Sequence, residues 1–507
     1  TFGGGVNIFR LGEAGRRIKD VRHLHKDKKC GIDSIRCVLG LVDESVTTLT
    51  RGLNARVWIG SNSGLSMCEK SDENAGYKFT TITTRNGLGN NMISDAMLDR
   101  EGNLWFGTNS GISMFEGMKF VHVTHDDGLS SDVTTSVFIS RDSALWVGTW
   151  GGGLNKFNIR NTSRQSDVEL YNSSNGLSEM IYSIAQFDSG SIMVGTERDG
   201  MYRMQDDRIE HFDMSVGVAF RTISVINKDR YGNLWLGAWG GGICVTREDD
   251  PVQGTFLRIT KKEGLAGDNV ASMVQDRDGN MWVGTQGGLT RITNEQDLSI
   301  KSAKGELPEM LTLNESNGLK CRAVYCLRLD ASGNLWMGTD NGVSRLDLSN
   351  KEEFEFTHFT KDDGLSSNTA YVIDFDSDGN LWIGSNKGLD RINMSIYNIS
   401  GKVFVKHYGK QDGFRGIECV QNASARDHQG NLWFASNVGV TKYNLEEDRL
   451  NKIEPITNLK SIRLFFESVD WTEYTELLDY STGLPSDLEL PYSKNHLTFD
   501  LFNSLRQ

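Results

Sequence analysis

Hydrophobic and polar residues alternate along this chain in short segments, and residues 363–407 show the pattern clearly. Four segments there alternate or are rich in β-branched and aromatic side chains, as β-strands are. They are Ala370–Phe375, Leu381–Gly384, Asp390–Asn393 and Val403–His407. The intervening residues 376–380, Asp-Ser-Asp-Gly-Asn, are typical of a type I turn, and no helical periodicity separates the segments. The pattern predicts four short antiparallel strands.

This unit recurs nine times, centred on a phrase close to Gly-Asn-Leu-Trp-Ile-Gly-Thr. Met193 holds the tryptophan position in one copy, and the other copies carry Trp58, Trp105, Trp146, Trp235, Trp282, Trp336, Trp382 and Trp433. Successive copies lie 41 to 54 residues apart, which is the size of one four-stranded blade of a β-propeller. The sequence therefore predicts an all-β repeat protein whose tryptophans pack between neighbouring sheets.

Nine copies exceed one ring, because propellers usually close with four to eight blades. We expect a tandem β-propeller, a partial ring followed by a seven-bladed ring of four-stranded blades, with the start of a C-terminal β-sandwich. Residues 1–126 are predicted to be the C-terminal blades of an incomplete first propeller, and residues 127–453 the seven-bladed ring. In residues 454–507 the repeat stops and alternating strands predict the beginning of an immunoglobulin-like sandwich.

Composition narrows the partners of this chain. It contains 54 Lys and Arg against 67 Asp and Glu, a formal charge of −13, which argues against nucleic acid or an anionic lipid surface as the main partner. No run of 18 apolar residues is present, so we expect no membrane-spanning segment within it. The seven cysteines have no regular spacing, which favours scattered buried thiols over a disulfide framework.

Several phrases closely resemble the two-component regulator propeller repeat. They are Gly-Leu-Ser-Ser-Asn at 364–368, Asp-Ser-Asp-Gly-Asn-Leu-Trp-Ile-Gly at 376–384 and Trp-Gly-Gly-Gly-Leu-Asn at 150–155. Residues 490–499 resemble the opening of the immunoglobulin-like, three-tyrosine domain that follows such propellers. Departures from the pattern are concentrated in two blades: residues 191–194 read Ser-Ile-Met-Val where the repeat has Asn-Leu-Trp-Ile, and Gly217-Val218 replaces Gly-Leu.

The resemblance implies the extracytoplasmic, periplasmic sensor region of a two-component signalling protein of the hybrid histidine kinase type. It implies an oligosaccharide ligand released from a polysaccharide, recognised without chemistry. It also implies a homodimer formed through the C-terminal sandwich, and a transmembrane helix and an output domain that both lie outside this chain.

The sequence offers little sign of catalysis or metal binding. No nucleophile elbow, phosphate-cradling loop or paired zinc ligands are present. Residues 374–379 resemble half of a calcium loop, but Ser385 stands where the loop requires a glutamate, which favours the turn interpretation. His23 and His25 face the same way on a predicted strand, but no nearby cysteine or carboxylate completes a site. We expect no catalytic residue, no metal and no cofactor.

Ring geometry predicts where a ligand binds. If the first strand of each blade is innermost, the loops from the second to the third strand and from the fourth strand to the next blade share one face. Aromatic residues beside polar groups on that face suit stacking against sugar rings, and arginines suit a uronate or sulfate. The candidate ligand-binding residues are Trp150, Trp239, Arg221, Arg322, Tyr182, Tyr371, Asn341 and Asn386.

Two other functions remain open at this point. Propellers often present flat surfaces to protein partners, so the chain could be an interaction scaffold. A glycan-degrading enzyme could also assemble carboxylates, tyrosines and histidines from distant blades. A ligand that binds without turnover separates the sensor from both.

Overall fold

The computed structural model describes residues 6–11, 18–25, 36–39, 45–51, 56–70, 77–84, 87–99, 103–115, 119–159, 168–206, 208–214, 218, 220–247, 257–293, 306–349, 354–416, 418–448, 457–480, 482–494 and 496–503. Before residue 45 it describes the backbone alone. The chain divides into two compact units, Met118–Asp448 and a second unit made of Thr1–Gly117 with Arg449–Gln507.

The N-terminal part of the second unit contains three sheets. The first consists of β1 (Val6–Leu11), β2 (Ile18–His25) and β3 (Arg36–Leu39); the next of β4 (Val46–Arg51), β5 (Val57–Ser61), β6 (Gly64–Lys70) and β7 (Tyr77–Ile82); the third of β8 (Ile93–Leu98), β9 (Leu104–Thr108) and β10 (Gly111–Phe115). The last two sheets carry Trp58 and Trp105 on their second strands, as blades of the predicted type do.

The unit Met118–Asp448 is a ring of seven four-stranded antiparallel blades. Its strands are β11 (Phe120–Val123), which belongs to the seventh blade; β12 (Thr134–Ile139), β13 (Ala144–Thr149), β14 (Leu154–Asn158) and β15 (Val168–Tyr171) in the first; β16 (Ile181–Gln186), β17 (Ile192–Thr196), β18 (Met201–Gln205) and β19 (Arg208–Phe212) in the second; β20 (Ile223–Lys228), β21 (Asn233–Ala238), β22 (Gly242–Arg247) and β23 (Leu257–Ile259) in the third; β24 (Val270–Gln275), β25 (Met281–Thr285), β26 (Gly288–Ile292) and β27 (Met310–Leu313) in the fourth; β28 (Val324–Leu329), β29 (Leu335–Thr339), β30 (Gly342–Leu346) and β31 (Phe356–Phe359) in the fifth; β32 (Val372–Phe375), β33 (Leu381–Ser385), β34 (Gly388–Ile392) and β35 (Val405–Tyr408) in the sixth; β36 (Cys419–Arg426), β37 (Leu432–Ser436) and β38 (Gly439–Tyr443) in the seventh.

The first strand of each blade is innermost, and the inner strands of neighbouring blades contact one another around the ring. β12 also contacts β36, so the first blade meets the seventh and the circle is closed. The predicted fold class, with a seven-bladed ring from Trp146 to Trp433, is confirmed.

The ring closes through a strand from its own beginning. β11 pairs antiparallel with β38 as the outermost strand of the seventh blade, with Phe120 opposite Tyr443 and Val123 opposite Val440. The sequence predicted that residues 1–126, this strand included, belong to the preceding propeller and that the ring begins at residue 127. In the structure it lies in the ring, because the seventh blade would otherwise lack its fourth strand.

Within the ring, each repeat tryptophan packs in the interface between its own blade and the next. Trp382 of the sixth blade is fully buried and packs with Phe414, Cys419 and Phe434, which belong to the seventh blade or lead into it. The indole N–H of Trp382 donates to Asp376 Oδ2 at 2.9 Å. An aromatic core residue with a satisfied polar group thus joins two sheets at each interface of this kind.

Where a blade carries the Asp-x-x-Gly-Asn segment, its aspartate organises the turn before the tryptophan. In the sixth blade Asp376 accepts hydrogen bonds from the Asp378 and Asn380 backbone N–H groups, from Asn380 Nδ2 and from Trp382 Nε1, all at 2.9 to 3.0 Å. This carboxylate is therefore occupied by its own hairpin, which agrees with the turn interpretation.

The Gly-Leu step carries the chain from an outer strand to the next inner strand. Gly364 ends a short 3-10 helix with φ +104°, a conformation that glycine adopts without strain. Leu365 then enters the core with 3 % of its surface exposed. Helices with 3-10 geometry span His125–Asp127, Ser173–Asn175, Glu315–Asn317, Lys361–Asp363, Lys410–Asp412, Leu445–Glu447, Trp471–Glu473 and Tyr492–Lys494.

Two features depart from a plain repeat. A helix, α1 (Met394–Ser400), lies between the third and fourth strands of the sixth blade, where no helix was expected; Asn393 caps it by accepting from the Ile396 N–H at 3.0 Å. After the ring, β39 (Thr457–Leu464) and β40 (Leu497–Asn503) form a two-stranded antiparallel sheet. Trp471 packs there against Ile462 and Leu464.

The cysteines that the structure describes are buried free thiols, as predicted: Cys68, Cys244, Cys321, Cys326 and Cys419. The side chains of Cys30 and Cys37, like those of His23 and His25, lie outside the described residues. In the described part of the chain, no helix has both the length and the apolar character needed to cross a membrane.

Candidate functional site

The candidate site is the channel mouth, which we define as the end of the central channel at the face predicted above. The loops from second to third strands and from fourth strands to the next blade meet there, because the four strands of each blade alternate in direction. The inner strands begin at this end, so side chains on their first residues lie beside these loops.

A β-bulge sets one residue near the start of the inner strand in five of the seven blades. In the first five blades the strand register shifts there, so that one residue of the inner strand has no partner on the second strand. Bulges re-aim a side chain out of the regular ladder. These unpaired residues are Thr135, Tyr182, Ser224, Ala271 and Tyr325. Tyr371 occupies the corresponding position in the sixth blade, five residues before the turn aspartate.

The three tyrosines of this set have aromatic neighbours. The rings of Tyr325 and Tyr371 lie 5.4 Å apart between centroids, from adjacent blades. Tyr182 meets Trp150 of the first blade edge to face, at 5.7 Å and 79°. Burial, and secondarily the carboxylates of Glu197 and Asp340 respectively, raise the pKa of Tyr182 and of Tyr325. Both hydroxyls are therefore neutral hydrogen-bonding groups near neutral pH.

Trp150 and Trp239 differ from the repeat tryptophans because they are exposed, by 41 % and 46 %. Each begins a loop that continues with three glycines. The loops are fixed by their backbones: Gly151 and Gly153 donate to the Glu179 carbonyl at 2.9 Å. The two indoles are therefore exposed to solvent although hydrogen bonds fix the backbone of their loops.

The third-blade loop has the same construction. Gly240 and Gly242 donate to the Asp268 carbonyl at 3.1 and 2.9 Å. Trp150 and Trp239 thus occupy equivalent places, separated by the second blade.

A polar cluster crosses the channel behind the mouth. The inner strand β36 carries a larger bulge than the others, between Cys419 and Ser424, and Asn422 within it has φ +54°. Its backbone N–H donates to the Tyr371 carbonyl at 2.9 Å and its amide Nδ2 to the Ala271 carbonyl at 3.4 Å. Asn422 therefore joins the seventh blade to the sixth and the fourth.

Arg328 of the fifth blade completes this cluster. Its guanidinium donates to Asn422 Oδ1 at 2.9 Å and to Ser424 Oγ at 3.1 Å. The Ser424 hydroxyl in turn donates to Asp374 Oδ2 at 2.8 Å. Residues of the fifth and seventh blades can meet only across the channel, since the sixth blade lies between them. The cluster thus narrows the channel and gives the mouth a floor.

The remaining predicted residues have mixed roles. Asn341 donates from Nδ2 to the Lys320 carbonyl at 2.7 Å, and Asn386 Oδ1 accepts from the Ser367 hydroxyl at 3.0 Å, so both amides hold loops together. Arg221 and Arg322 are exposed.

The structure brings two of the predicted residues, Trp150 and Tyr182, together. Tyr371 instead contacts Tyr325, a residue that was not among those predicted. Its place five residues before Asp330 matches that of Tyr371 before Asp376 and could have revealed it.

His122, His358 and His407 lie on the fourth strands of the seventh, fifth and sixth blades, and the blade itself holds them in place. His122, His358 and His407 each bond, at 2.8 to 2.9 Å, to the residue opposite on the third strand. In the sixth blade that residue is Asp390, which also accepts from the Ser366 hydroxyl at 2.8 Å. The carboxylate lies between the serine and the histidine, so His407 has no direct bond through which to activate Ser366 as a nucleophile.

Among the described residues, no group of three or more His, Cys, Asp or Glu side chains is arranged to hold a metal ion. The mouth itself carries carboxylates at separate positions. Glu197 lies beside Arg198, with 3.6 Å between Oε1 and Nε, and Asp340 Oδ1 accepts the backbone N–H groups of Arg322 and Ala323 at 3.1 and 3.2 Å.

Comparison with known proteins identifies the repeat. The model of the family described as two component regulator propeller matches residues 87–110, 264–287, 318–341 and 364–387. Each match in the ring runs from a Gly-Leu step to the loop at the mouth. The resemblance drawn from the sequence is confirmed: the chain carries two component regulator propeller repeats. No curated protein matches the chain.

Two solved structures from B. thetaiotaomicron share the fold. The extracellular domain of BT3049, described as a hybrid two component system, aligns over 91 % of this chain and 62 % of its own, with 19 % identity and a TM-score of 0.59. That of BT4673 covers 90 % of this chain and 60 % of its own, with 19 % identity and a TM-score of 0.52. The chain thus spans about three fifths of the length of these structures.

Proposed function

We propose that this chain is the ligand-sensing region of a two-component signalling protein of the hybrid histidine kinase type, located in the periplasm. It binds an oligosaccharide derived from a polysaccharide at the channel mouth and does not transform it. The observation that carries the proposal is the exposure of Trp150 and Trp239 on ordered loops, whereas seven of the eight repeat tryptophans are buried and the eighth, Trp105, is half-buried.

The mouth offers the chemistry that sugar recognition requires. Aromatic faces stack against the apolar faces of sugar rings, and neutral hydroxyl and amide groups match sugar hydroxyls. Tyr182 supplies a hydroxyl beside Trp150, and Tyr325 and Tyr371 supply two more from the fifth and sixth blades. The cluster around Asn422 limits how deeply a ligand enters. A platform of loops above a channel narrowed by this cluster suits the end of a chain or a short fragment.

Signalling follows from the proposed assembly. The family resemblance implies a homodimer through the C-terminal sandwich, and a transmembrane helix outside this chain that connects it to the kinase. A ligand alters the output only if it binds the two arrangements of the dimer with different affinity. The similarity to extracellular domains of two component systems supports this role.

Calorimetric titration tests the proposal directly. A panel of neutral and acidic oligosaccharides is titrated into the protein, and each mixture is then examined by chromatography for new products. We expect saturable binding of one class with no products, and binding about tenfold weaker in Trp150→Ala, equivalent to about 1.4 kcal/mol. New products would establish a glycan-degrading enzyme instead. No binding across the panel would favour the protein-interaction scaffold.

A further inference from the structure

The loops that lead into the inner strands share a capping device at their end. Asp132 and Asp268, each two residues before its inner strand, and Asn368, four residues before β32, accept the backbone N–H of the residue seven positions earlier, at 2.7, 2.7 and 2.9 Å. An acidic or amide side chain there closes the loop on itself, as an Asx residue does in a turn. The first, fourth and sixth blades follow this rule.

The third and fifth blades break the rule with an arginine. Arg221 and Arg322 occupy the same position, two residues before the inner strands that begin at Ile223 and Val324. A guanidinium has no acceptor atom and cannot cap the loop. Both side chains are exposed, and neither guanidinium has a hydrogen bond or ion pair with the residues that the structure describes. The third and fifth blades therefore lack this side-chain cap and instead carry an exposed arginine at the mouth.

A third arginine breaks a different local rule next to Arg221. Arg198 has φ +69° in the second-blade loop, at the place where the first and third blades have Gly151 and Gly240, each with φ +83°. This region disfavours residues with a Cβ atom. The Arg198 side chain is 80 % exposed, and its Nε lies 3.6 Å from Glu197. Its backbone N–H donates to Thr222 Oγ1 at 3.3 Å, which places it beside Arg221.

Three departures from the repeat, all to arginine and all at one face, are not what folding alone selects, because each replaces a locally better residue. Arginine binds carboxylate and sulfate groups through paired N–H donors. We infer that the channel mouth selects anionic oligosaccharides, with Arg198 and Arg221 holding one carboxylate or sulfate group and Arg322 holding another. This inference rests on the proposed function and names the ligand class of the same site.

The experiment compares matched ligands and variants that do not weaken the fold. Trigalacturonate, a sulfated galactose trisaccharide and neutral galactotriose are titrated calorimetrically into the protein. The variants are Arg198→Gly, Arg221→Asn and Arg322→Asn, each of which restores the residue type found in other blades. Arg208→Asn, on the outermost strand β19 of the second blade, is the control. The melting temperature of the three test variants is expected to equal or exceed that of the parent protein.

We expect an acidic trisaccharide to bind at least tenfold more tightly than galactotriose, and Arg198→Gly and Arg221→Asn each to remove about tenfold of that affinity. Arg208→Asn should bind as the parent does, and the preference should shrink as salt is raised. Whether trigalacturonate or the sulfated sugar binds more tightly identifies the anion. Equal binding of galactotriose, or unchanged binding by all three variants, would overturn the inference and leave the proposed function standing. Absence of binding by any saccharide would overturn both.

Discussion

Trp382 and Trp150 carry the same side chain in opposite surroundings. Trp382 is fully buried between the sixth and seventh blades with its N–H bound to Asp376, whereas Trp150 is 41 % exposed at the channel mouth and touches one ring, that of Tyr182. The difference lies in the neighbouring sequence. Trp382 lies between Leu381 and Ile383 and six residues after an aspartate, and Trp150 precedes three glycines. One tryptophan stabilises the ring, and the other is available to a ligand.

We expect the largest loss of stability when the buried member of this pair, Trp382, is removed. Trp382→Ala removes an indole that packs on Tyr408, Phe434 and Tyr443 and leaves the Asp376 carboxylate short of a donor. We expect a loss of about 4 kcal/mol in the free energy of unfolding, as for other buried aromatic residues. Urea unfolding followed by circular dichroism measures it. A loss below about 1 kcal/mol would show that the blade interface does not depend on the indole.

Asp448 gives a second large effect, at the end of the ring. Its carboxylate has 3 % of its side chain exposed and accepts from the hydroxyls of Tyr408 and Tyr443 at 2.7 and 2.8 Å and from Arg391 at 2.7 Å. Burial by itself raises the pKa of Asp448, but these donors and the Lys406 ammonium outweigh it and lower the pKa to about 2. The charged form therefore stabilises the folded ring.

We expect Asp448→Asn to lower the free energy of unfolding by about 3 kcal/mol at pH 7, because it leaves Arg391 without its counter-charge. The sign with pH follows from a folded-state pKa below the ordinary value of 3.8. The stabilisation by Asp448 is complete above about pH 4 and is lost as the pH falls towards 2. Urea unfolding of both proteins between pH 3 and 7 should show the difference shrinking on acidification. A constant difference would mean that the Asp448 charge contributes nothing.

The second blade sharpens the comparison, since it is built without the tryptophan or its aspartate. Met193 and Phe187 occupy those positions, each 2 % exposed. Met193→Trp should destabilise the ring by about 2 kcal/mol, because a larger side chain enters a filled interface and its N–H finds no carboxylate. Adding Phe187→Asp should restore part of the loss. A double-mutant cycle in urea measures the coupling, and simple additivity would contradict the pairing.

The fold could be predicted further than the site, and the reason is physical. The pairing of Asp376 with Trp382 is local and recurs, so a period in the sequence was enough to place blades and interfaces. The floor of the mouth depends on Asn422, which meets Ala271 and Arg328 only after the ring has closed. Nothing near residue 422 in the sequence shows this, because a bulge of this size occurs, among the described strands of the ring, in the seventh blade alone.

The same distinction applies to the site residues: their repeat positions could be predicted, and their contacts in the folded ring could not. Tyr182 and Tyr371 could be placed near the mouth from their repeat position, and Tyr325 could have been found in the same way. The packing of Tyr325 on Tyr371 follows from the spacing of adjacent blades, which the sequence does not contain. The roles of Asn341 and Asn386 in holding loops depend on Lys320 and Ser367, 21 and 19 residues away.

The smallest effect on stability is expected on the exposed side. Trp150→Ala should change the free energy of unfolding by less than about 0.5 kcal/mol. The loop is held by backbone bonds that the substitution leaves in place: Trp150 N–H to the Val133 carbonyl at 2.9 Å and the two bonds to the Glu179 carbonyl. The substitution should also lower the fraction of tryptophan fluorescence that iodide quenches, because it removes an exposed indole, whereas Trp382→Ala should not. A stability loss as large as that of Trp382→Ala would make Trp150 a packing residue, and the mouth would then lose the aromatic surface on which the sensing proposal depends.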